Sequence, residues 1–295
     1  MMNWTRQRSR WSKHIVLGLG MVLSGATGGL AQAAGSRLQD ITAEVPGHPG
    51  TTYFDLLKQV VPDLSADGTS ASGRFAVPPR HIAEGYGGEP LGSLDIGMLE
   101  VLTFMVDGRS HIAILTGIGS VQATVEQPTL LAVFDDGKVV KLLDAVDVGM
   151  DRDTSFGEPA LVNIGKKSQA LVTRSSHFNS SESFETTTLI LLQDSKLKLV
   201  DTFSTYGART CGAATRQALT FEERPGGTGY SGILATIRES TTPTDEVCDD
   251  ESLAPALAIS AGTLYNWDAR ALNFVATSDA VEKLQLRTAE QMSEP

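Results

Sequence analysis

Short apolar runs alternate with turn residues from Leu99 to Ala276, and this pattern is typical of an antiparallel β protein. The runs fall into three successive sets of four predicted strands. We therefore predict a mainly β fold built from three related four-stranded antiparallel units, which span about 99–149, 156–207 and 208–277 and are arranged like propeller blades or as stacked sheets. The predicted strands are Leu99–Val106, His111–Thr116, Thr129–Phe134 and Val139–Val146 in the first unit, Ala160–Ile164, Gln169–Thr173, Thr187–Leu192 and Leu197–Phe203 in the second, and Leu219–Phe221, Ile233–Ile237, Ala256–Ile259 with Leu264–Trp267, and Leu272–Ala276 in the third.

A short turn signature recurs once in each unit. In each copy an apolar run leads into aspartate, one small residue and a cation, and a second apolar run follows. Such a turn is expected to join two paired strands, and its recurrence favours a repeat architecture. Because three blades close poorly into a ring, we expect an open stack, a partial propeller completed by the N-terminal segment, or an oligomer. The copies are Phe134–Lys138, Leu192–Lys196 and Asn266–Arg270, and three pairs of identical residues lie 57 positions apart in the first two units: Gly108 and Gly165, Ala113 and Ala170, and Thr116 and Thr173.

The segment 34–98 predicts one helix followed by a long loop. From Tyr53 to Val61 the apolar residues recur three and four positions apart, on one stripe of a helix that Thr51 or Thr52 caps and Pro62 ends. Residues 65–97 are rich in glycine, proline and serine, and we predict mostly loop there, with one strand near 74–77. Residues 278–295 predict a modest amphipathic segment and a polar C-terminal tail.

The first 33 residues have the pattern of a secretory signal peptide. Four cations and no acid accompany the apolar run Ile15–Leu23, and Ala31-Gln32-Ala33 fits the small-x-small rule for cleavage. Cleavage there would leave a mature protein that begins at Ala34, and we expect it to be periplasmic or secreted. The alternative is an uncleaved membrane anchor, because Ile15–Ala34 is about as long as a bilayer span.

The chain is acidic, and this restricts its partners. The net charge is −11, and loss of the signal peptide would also remove four positive charges. An acidic surface repels phosphate backbones and anionic lipids, which argues against nucleic acid or membrane surfaces as the main partner. The composition, with 41% hydrophobic and 20% charged residues, is that of an ordinary soluble protein, so we expect no membrane span after signal cleavage.

The two cysteines, Cys211 and Cys248, both lie in the mature part of the chain. In an oxidising compartment an isolated pair is most simply a disulfide. Closing this loop would remove unfolded-chain entropy worth roughly 4 kcal/mol. Neither cysteine has another cysteine or a histidine at the spacing of a zinc site, and no CxxC motif is present. We therefore predict a disulfide that staples an insertion in the third unit.

No strong catalytic motif is present, since the chain lacks a GxSxG elbow, an HExxH helix and a Walker loop. The richest polar cluster lies in a predicted loop of the second unit. There His177 would act as an acid or base near neutral pH, with Glu182 or Glu185 orienting it. Together with the neighbouring hydroxyls, His177, Asn179 and Glu182 would hold a polar ligand such as a sugar. The alternative is a solvated loop, because the first unit has no histidine or acid at this place.

A second acidic segment precedes the predicted strand Ala160–Ile164. With that strand, Asp147, Asp151 and Asp153 resemble the FG-GAP or VCBS type of propeller repeat over fewer than twenty residues. In that family the acid-rich loops bind calcium, so the resemblance implies calcium binding by Asp151 and Asp153. The glycine-bearing DxDxDG core of those loops is missing here, because Arg152 lies between the acids and Thr154 and Ser155 follow them. The alternative is a solvated turn.

These patterns favour a non-catalytic binding or interaction role in the cell envelope, because strands and polar loops are present without a catalytic set. The partner would be a protein or a polar ligand of the envelope. The first alternative is an envelope hydrolase that acts on a polysaccharide or a related polymer, with His177, Glu182 and Glu185 in its site. The second is a calcium-stabilised, propeller-like adhesion module. Apart from calcium, no cofactor is predicted.

Overall fold

The computed structural model describes residues 36–67, 70–83, 93–96, 98–118, 127–226, 229–244 and 256–293. All of these residues belong to one compact unit, Ala33–Pro295. The predicted signal peptide, residues 1–33, lies outside the described residues and stays a prediction. Within the described ranges, no helix has both the length and the apolar character needed to cross a membrane.

The chain is mainly β, as the alternating sequence pattern predicts. The strands are β1 (Arg37–Asp40), β2 (Ser65–Asp67), β3 (Ser70–Arg74), β4 (Arg80–His81), β5 (Ser93–Ile96), β6 (Met98–Val106), β7 (Arg109–Gly117), β8 (Thr129–Asp135), β9 (Lys141–Asp147), β10 (Asp153–Asn163), β11 (Gln169–Phe178), β12 (Glu182–Gln193), β13 (Lys196–Thr210), β14 (Ala213–Arg224), β15 (Gly232–Pro243), β16 (Leu257–Asp268) and β17 (Asn273–Ala276). The helices are α1 (Tyr53–Leu57) and α2 (Ala280–Ser293).

The described strands form three sheets. Sheet 1 has six strands in the order β1-β6-β7-β8-β9-β4, sheet 2 has eight strands that follow the chain from β10 to β17, and sheet 3 contains β2, β3 and β5. Neighbouring strands are antiparallel, apart from the short parallel pair of β4 and β9. Tight hairpins allow this arrangement because antiparallel neighbours need only a short connection. The predicted antiparallel β class is therefore confirmed.

Side-chain alternation along the strands buries three apolar layers. On β7, Ile112 belongs to the layer shared with α1 and sheet 3, and the next residue, Ala113, belongs to the layer shared with sheet 2. On β11, Leu171 packs in that same layer, whereas Val172 packs in a third layer with β15, β16, β17 and α2. Sheet 1 and the first half of sheet 2 are therefore each covered on both faces.

Helix α1 begins where the sequence predicts but is shorter than the predicted Tyr53–Val61. The Thr52 hydroxyl accepts a hydrogen bond from the Asp55 amide at 3.3 Å, and the Asp55 carboxylate accepts one from the Thr52 amide at 2.9 Å. This reciprocal capping box fixes the first turn. The helix ends at Leu57, and turns carry the chain onward so that Val61 is still fully buried in the same apolar layer.

The region predicted as mostly loop, 65–97, contains four short strands. Three of them, β2, β3 and β5, form sheet 3, and β4 pairs with the edge of sheet 1. Glycine- and serine-rich sequence is a correct signal for turns, but it does not exclude strands of two to five residues whose backbone groups pair with a neighbour. The prediction of a single strand near 74–77 was therefore wrong.

The predicted amphipathic segment near the C-terminus is helix α2, which continues to Ser293 through most of the stretch predicted as a polar tail. Val281 and Leu284 of α2 are 2% and 7% exposed and pack against sheet 2, and Thr288 is buried one turn further on. The apolar residue Leu286 on the same helix is exposed. A stripe with two strongly apolar residues predicts a helix poorly, and contact with sheet 2 supplies the missing stabilisation.

The strands around His177 are longer than predicted. β11 continues to Phe178 and β12 begins at Glu182, so the predicted loop shrinks to residues 179–181. Threonine and phenylalanine favour extended backbone, and β11 and β12 pair without a break from Leu171–Ile190 to Phe178–Ser183. The loop prediction was therefore wrong, and His177 lies on a strand of a rigid sheet.

Each turn signature joins two neighbouring antiparallel strands: β8 to β9, β12 to β13, and β16 to β17. In the second signature Asp194 and Ser195 have φ values of 51° and 58°. This left-handed conformation at both central residues is what a two-residue hairpin turn matched to the strand twist requires. The turn therefore holds Asp194 in a defined position at the end of β12.

Cys211 lies in the turn between β13 and β14, and Cys248 lies outside the described residues. After β15, the Thr244 amide donates a hydrogen bond to the Gly212 carbonyl at 3.0 Å. The chain therefore leaves β15 beside Cys211, a few residues before Cys248. This course is compatible with the disulfide, which stays a prediction.

Candidate ligand-binding face

Three rings lie side by side on neighbouring strands of sheet 2. The strand register places His177 opposite Phe184 and Phe184 opposite Tyr206. The His177 and Phe184 rings are stacked with centroids 4.6 Å apart, and the Phe184 and Tyr206 rings are tilted with centroids 5.3 Å apart. All three side chains are partly exposed. We call His177, Phe184 and Tyr206 the aromatic row.

His177 is held by a carboxylate that the sequence did not suggest as its partner. Its Nδ1 is hydrogen-bonded to an Asp151 carboxylate oxygen, and the other Asp151 oxygen accepts the Arg152 amide at 2.8 Å. Asp151 comes from the connection between β9 and β10, next to the start of sheet 2. The predicted orienting groups, Glu182 and Glu185, do not form this contact.

Glu182 lies at one end of the aromatic row. Its carboxylate accepts hydrogen bonds from Asn179 Nδ2 at 2.8 Å and from the Tyr206 hydroxyl at 2.9 Å. These two bonds, the first from Asn179, hold the pKa of Glu182 below its usual value. Burial and the bond to Glu182 raise the pKa of Tyr206 to about 12. Near neutral pH the pair is therefore an ionised carboxylate and a protonated phenol.

The short turn at the end of the row is fixed by Asn179. Its side-chain oxygen accepts hydrogen bonds from the backbone amides of Ser181 and Glu182 at 2.9 and 2.8 Å. Asparagine commonly closes turns in this way. Of the predicted ligand residues, Asn179 and Glu182 are thus bonded to each other and to the Tyr206 end of the row, whereas His177 forms its opposite end.

Glu185 lies on the other face of the sheet. Successive strand residues point to opposite faces, so Glu185 points away from Phe184 and Glu182. Its carboxylate pairs with Arg174 at 3.5 Å, and both line a narrow cleft with Leu219 and Phe221. The three residues named for a hydrolase site, His177, Glu182 and Glu185, therefore do not share one cleft.

The two residues implied in calcium binding, Asp151 and Asp153, have different surroundings. Asp151 is engaged by His177, and Asp153 is an exposed residue at the start of β10. Within the described ranges, no group of three or more histidine, cysteine, aspartate or glutamate side chains has the arrangement of a metal site. Calcium binding by Asp151 and Asp153 stays a prediction.

Phe184 and Tyr206 were missed by sequence reasoning. Each lies in a polar stretch that composition alone assigns to a loop or an exposed strand. The available signal was the period of two: Glu182, Phe184 and Thr186 fall on one face of an extended chain. Their alignment with His177 depends on strand register, which no local pattern in this stretch specifies.

The other described histidines are hydrogen-bonded. His48 Nε2 lies 2.7 Å from an Asp136 carboxylate oxygen, and His81 Nε2 lies 3.0 Å from the Gly149 carbonyl oxygen. His111 is 3% exposed, and its Nδ1 lies 3.0 Å from the Arg109 carbonyl oxygen. Burial lowers the pKa of His111, more than its hydrogen bond and the nearby Asp135 raise it.

We expect this shift to make stability depend on pH below about 6.5, the ordinary histidine pKa. Below this pH His111 is protonated in the unfolded chain but stays neutral in the folded chain, because its pKa is lower there. The free energy of unfolding therefore falls as the pH falls. A single group limits the slope to about 1.4 kcal/mol per pH unit. Urea denaturation between pH 7.5 and 5.5 measures it, with His111→Gln as the comparison. Equal slopes in the two proteins would contradict the assignment to His111.

Comparison of the chain with protein-family models, with curated protein sequences and with solved structures finds no match.

Proposed function

We propose that this protein is an exported, cell-envelope binding protein that holds a saccharide on the aromatic row. The observation that carries the proposal is the in-register, partly exposed set of rings with an ionised carboxylate at its end. The His177 and Phe184 rings face each other, so the row presents apolar ring edges to the C–H groups of a sugar, and a carboxylate accepts charge-assisted hydrogen bonds from hydroxyl groups. The row crosses three strands and is therefore about 10 Å long, enough for a short stretch of polymer.

The chemistry of the row favours binding over hydrolysis. Glu182 stays ionised near neutral pH and is a poor proton donor, because its pKa is lowered by two hydrogen bonds. Glu185 points to the opposite face of the sheet. Ser175, two positions before His177, is 1% exposed, and its hydroxyl is bonded to Thr154 and to the Met150 amide. It is therefore a poor candidate for a nucleophile.

A single specific observation favours the hydrolase alternative, and it is the hydrogen bond between His177 and Asp151. A carboxylate on Nδ1 fixes the orientation of an imidazole, as in hydrolase sites. In the binding function, the same bond fixes the edge of the aromatic row. Release of reducing ends from a bound polysaccharide separates the two functions.

The test of the proposed function is Phe184→Ala, with Phe178→Ala as its matched control. Phe178 is an exposed phenylalanine next to His177 on β11, and alternation places it on the opposite face of the sheet. We expect Phe184→Ala to weaken saccharide binding about tenfold, roughly 1.4 kcal/mol, and Phe178→Ala to change it less than twofold. A glycan array that includes envelope polysaccharides identifies the ligand, and titration calorimetry then gives the dissociation constants.

Three results would count against the proposed function. The first is the absence of binding to every saccharide on the array by the wild-type protein. The second is equal binding by wild-type protein and a Phe184→Ala variant whose thermal unfolding shows that it is folded. The third is equal loss of binding in both phenylalanine variants, which would assign recognition to a different surface.

Export is part of the proposal and rests on the sequence of residues 1–33, with their cationic start, apolar run and small-x-small site. A periplasmic or secreted location would place the aromatic row among envelope polymers. A disulfide between Cys211 and Cys248 belongs to the same proposal, because such bonds persist in oxidising compartments. A calcium-stabilised adhesion module is kept only as the alternative that the FG-GAP resemblance implies.

We also propose that β6–β9, β10–β13 and β14–β17 are three copies of one four-stranded unit. In each group the turn signature joins the third strand to the fourth. Ala113 and Ala170, which lie 57 positions apart, are fully buried on the second strand of their groups. Ala113 faces the second group and Ala170 faces the third, so equivalent faces point forward along the stack, as in adjacent propeller blades.

A further inference from the structure

A cavity of about 290 Å³ lies between sheet 1 and sheet 2. Its walls come from the β6–β7 turn, the end of β8, the β12–β13 turn and the residue two positions before β15. The cavity shares no lining residue with the aromatic row. Glu182 and Gln193 lie at opposite ends of β12, so the two sites are about 35 Å apart along that strand. The polar groups that matter for binding are Asp107, Arg109, His111, Asp135, Asp194 and Tyr230.

The lining is negatively charged, because three carboxylates face one guanidinium and a buried histidine. In the described part of the chain, neither the Asp135 nor the Asp194 carboxylate forms a hydrogen bond or an ion pair. Both are therefore available as acceptors. They come from different sheets, Asp135 from the end of β8 and Asp194 from a turn with a left-handed backbone, so they approach the cavity from two sides.

Tyr230 and Asp107 form a fixed polar wall. Burial raises the pKa of Tyr230, and the nearby charges of Asp107 and Asp194 raise it further. The Asp107 carboxylate also accepts the Ser168 hydroxyl at 3.2 Å. Because the phenol stays protonated near neutral pH, its oxygen can still accept a hydrogen bond from a ligand.

His111 adds an acceptor at the base of the cavity. Its Nδ1 is 3.0 Å from the Arg109 carbonyl oxygen, which only accepts hydrogen bonds, so Nδ1 carries the proton. Burial keeps the ring neutral, and Nε2 is then an acceptor. No hydrogen bond to Nε2 is present among the described residues. A side chain that is 3% exposed and lines a cavity with an unused acceptor indicates a ligand that donates hydrogen bonds.

We propose that this cavity binds a small organic cation with several N–H groups, of the alkylammonium or guanidinium class. Carboxylates, a phenol oxygen and an imidazole nitrogen supply acceptors and negative charge, and Val106, Leu143 and Leu192 supply apolar wall for a carbon chain. An organic cation fits this lining better than a metal ion, which needs several ligands converging on one point. The proposal is independent of saccharide binding, since the two sites have no residue in common.

The test uses the full chain and titration calorimetry with two probes, 1,4-diaminobutane and arginine amide, and with acetate and glucose as comparison compounds. We expect saturable binding of at least one cation and none of acetate or glucose. Asp194→Asn and Asp135→Asn each remove one charge from the lining with little change in shape, and we expect each to weaken binding about tenfold.

Asp268→Asn is the matched control. Asp268 occupies the equivalent position in the third turn signature, carries the same charge and lies outside the cavity lining. We expect it to change cation binding less than twofold. The proposal is overturned if neither cation binds the wild-type protein. It is also overturned if Asp268→Asn weakens binding as much as Asp194→Asn and Asp135→Asn do, because that result indicates nonspecific attraction to an acidic protein.

Discussion

Replacing Phe203 with alanine is expected to lower the free energy of unfolding by about 3–5 kcal/mol. Phe203 is fully buried on β13, in the apolar layer between the two halves of sheet 2. Its ring contacts Phe221 edge-on at 5.4 Å and Tyr265 at 5.9 Å between centroids. Alanine leaves a cavity that these rigid neighbours close only in part, so both transfer energy and packing are lost.

Urea denaturation measures this loss, and two substitutions serve as controls. Phe203→Leu keeps most of the apolar volume and is expected to cost less than half as much. Phe178→Ala removes an exposed ring and is expected to change stability by no more than about 0.5 kcal/mol. A cost below 1 kcal/mol for Phe203→Ala would mean that the layer between the two halves of sheet 2 is not tightly packed.

Replacing Glu239 with alanine is expected to cost about 2 kcal/mol, because it removes the centre of a polar network beneath α2. Glu239 is 8% exposed, and Arg287 Nη2 donates to both of its carboxylate oxygens at 2.9 Å. Gln217 Nε2 lies 2.7 Å from the same carboxylate and 2.8 Å from the Thr288 hydroxyl. Without Glu239, the buried Gln217 amide loses an acceptor, and the partly exposed Arg287 loses its ion pair.

Glu239→Gln is the matched control, since it keeps the size of the side chain and one acceptor oxygen. We expect it to cost about half as much as Glu239→Ala. Limited proteolysis gives a second readout, because loosening of α2 exposes the C-terminal segment to cleavage before the sheets unfold. If Glu239→Ala changes stability no more than a surface substitution does, α2 is held by Val281 and Leu284 alone.

The two proposed sites differ in how the chain assembles them. The aromatic row needs only three adjacent strands in the correct register, and its rings come from one sheet. The cavity needs sheet 1 and sheet 2 to pack against each other, because Asp135 and Asp194 belong to different sheets. A substitution that disturbs the packing between the sheets should therefore impair cation binding before it impairs saccharide binding.

Asp144 connects sheet 1 to sheet 2 close to the cavity. It is 8% exposed on β9, and its carboxylate accepts the Leu197 amide of β13 at 2.9 Å and Arg80 Nη2 at 3.0 Å. Lys196 Nζ, from the turn signature that contains Asp194, lies 3.3 Å from the other oxygen. The two sheets are thus connected by hydrogen bonds close to the cavity as well as by apolar contacts.

Local sequence determined most of the strands from β6 to β17 and the hairpin turns between them. Alternating apolar residues and compact turn signatures are enough to predict paired antiparallel strands, because side-chain direction and turn conformation depend on neighbours along the chain. For the same reason the cap of α1 at Thr52 could be predicted from a few residues. Polar composition predicted a loop around His177, but pairing with β12 makes this segment a strand. The weak apolar stripe near the C-terminus did not predict the full length of α2, because packing against sheet 2 stabilises that helix.

Tertiary structure alone decided which functional side chains meet. His177 joins Phe184 and Tyr206 through strand register, and a shift by one residue would move each ring to the other face of the sheet. Its partner Asp151 comes from a separate connection, 26 residues earlier in the chain. Asp135 and Asp194 meet at one cavity only because two sheets pack face to face. These contacts depend on packing between distant segments, whose free energy is set by buried area and fit and not by any local pattern.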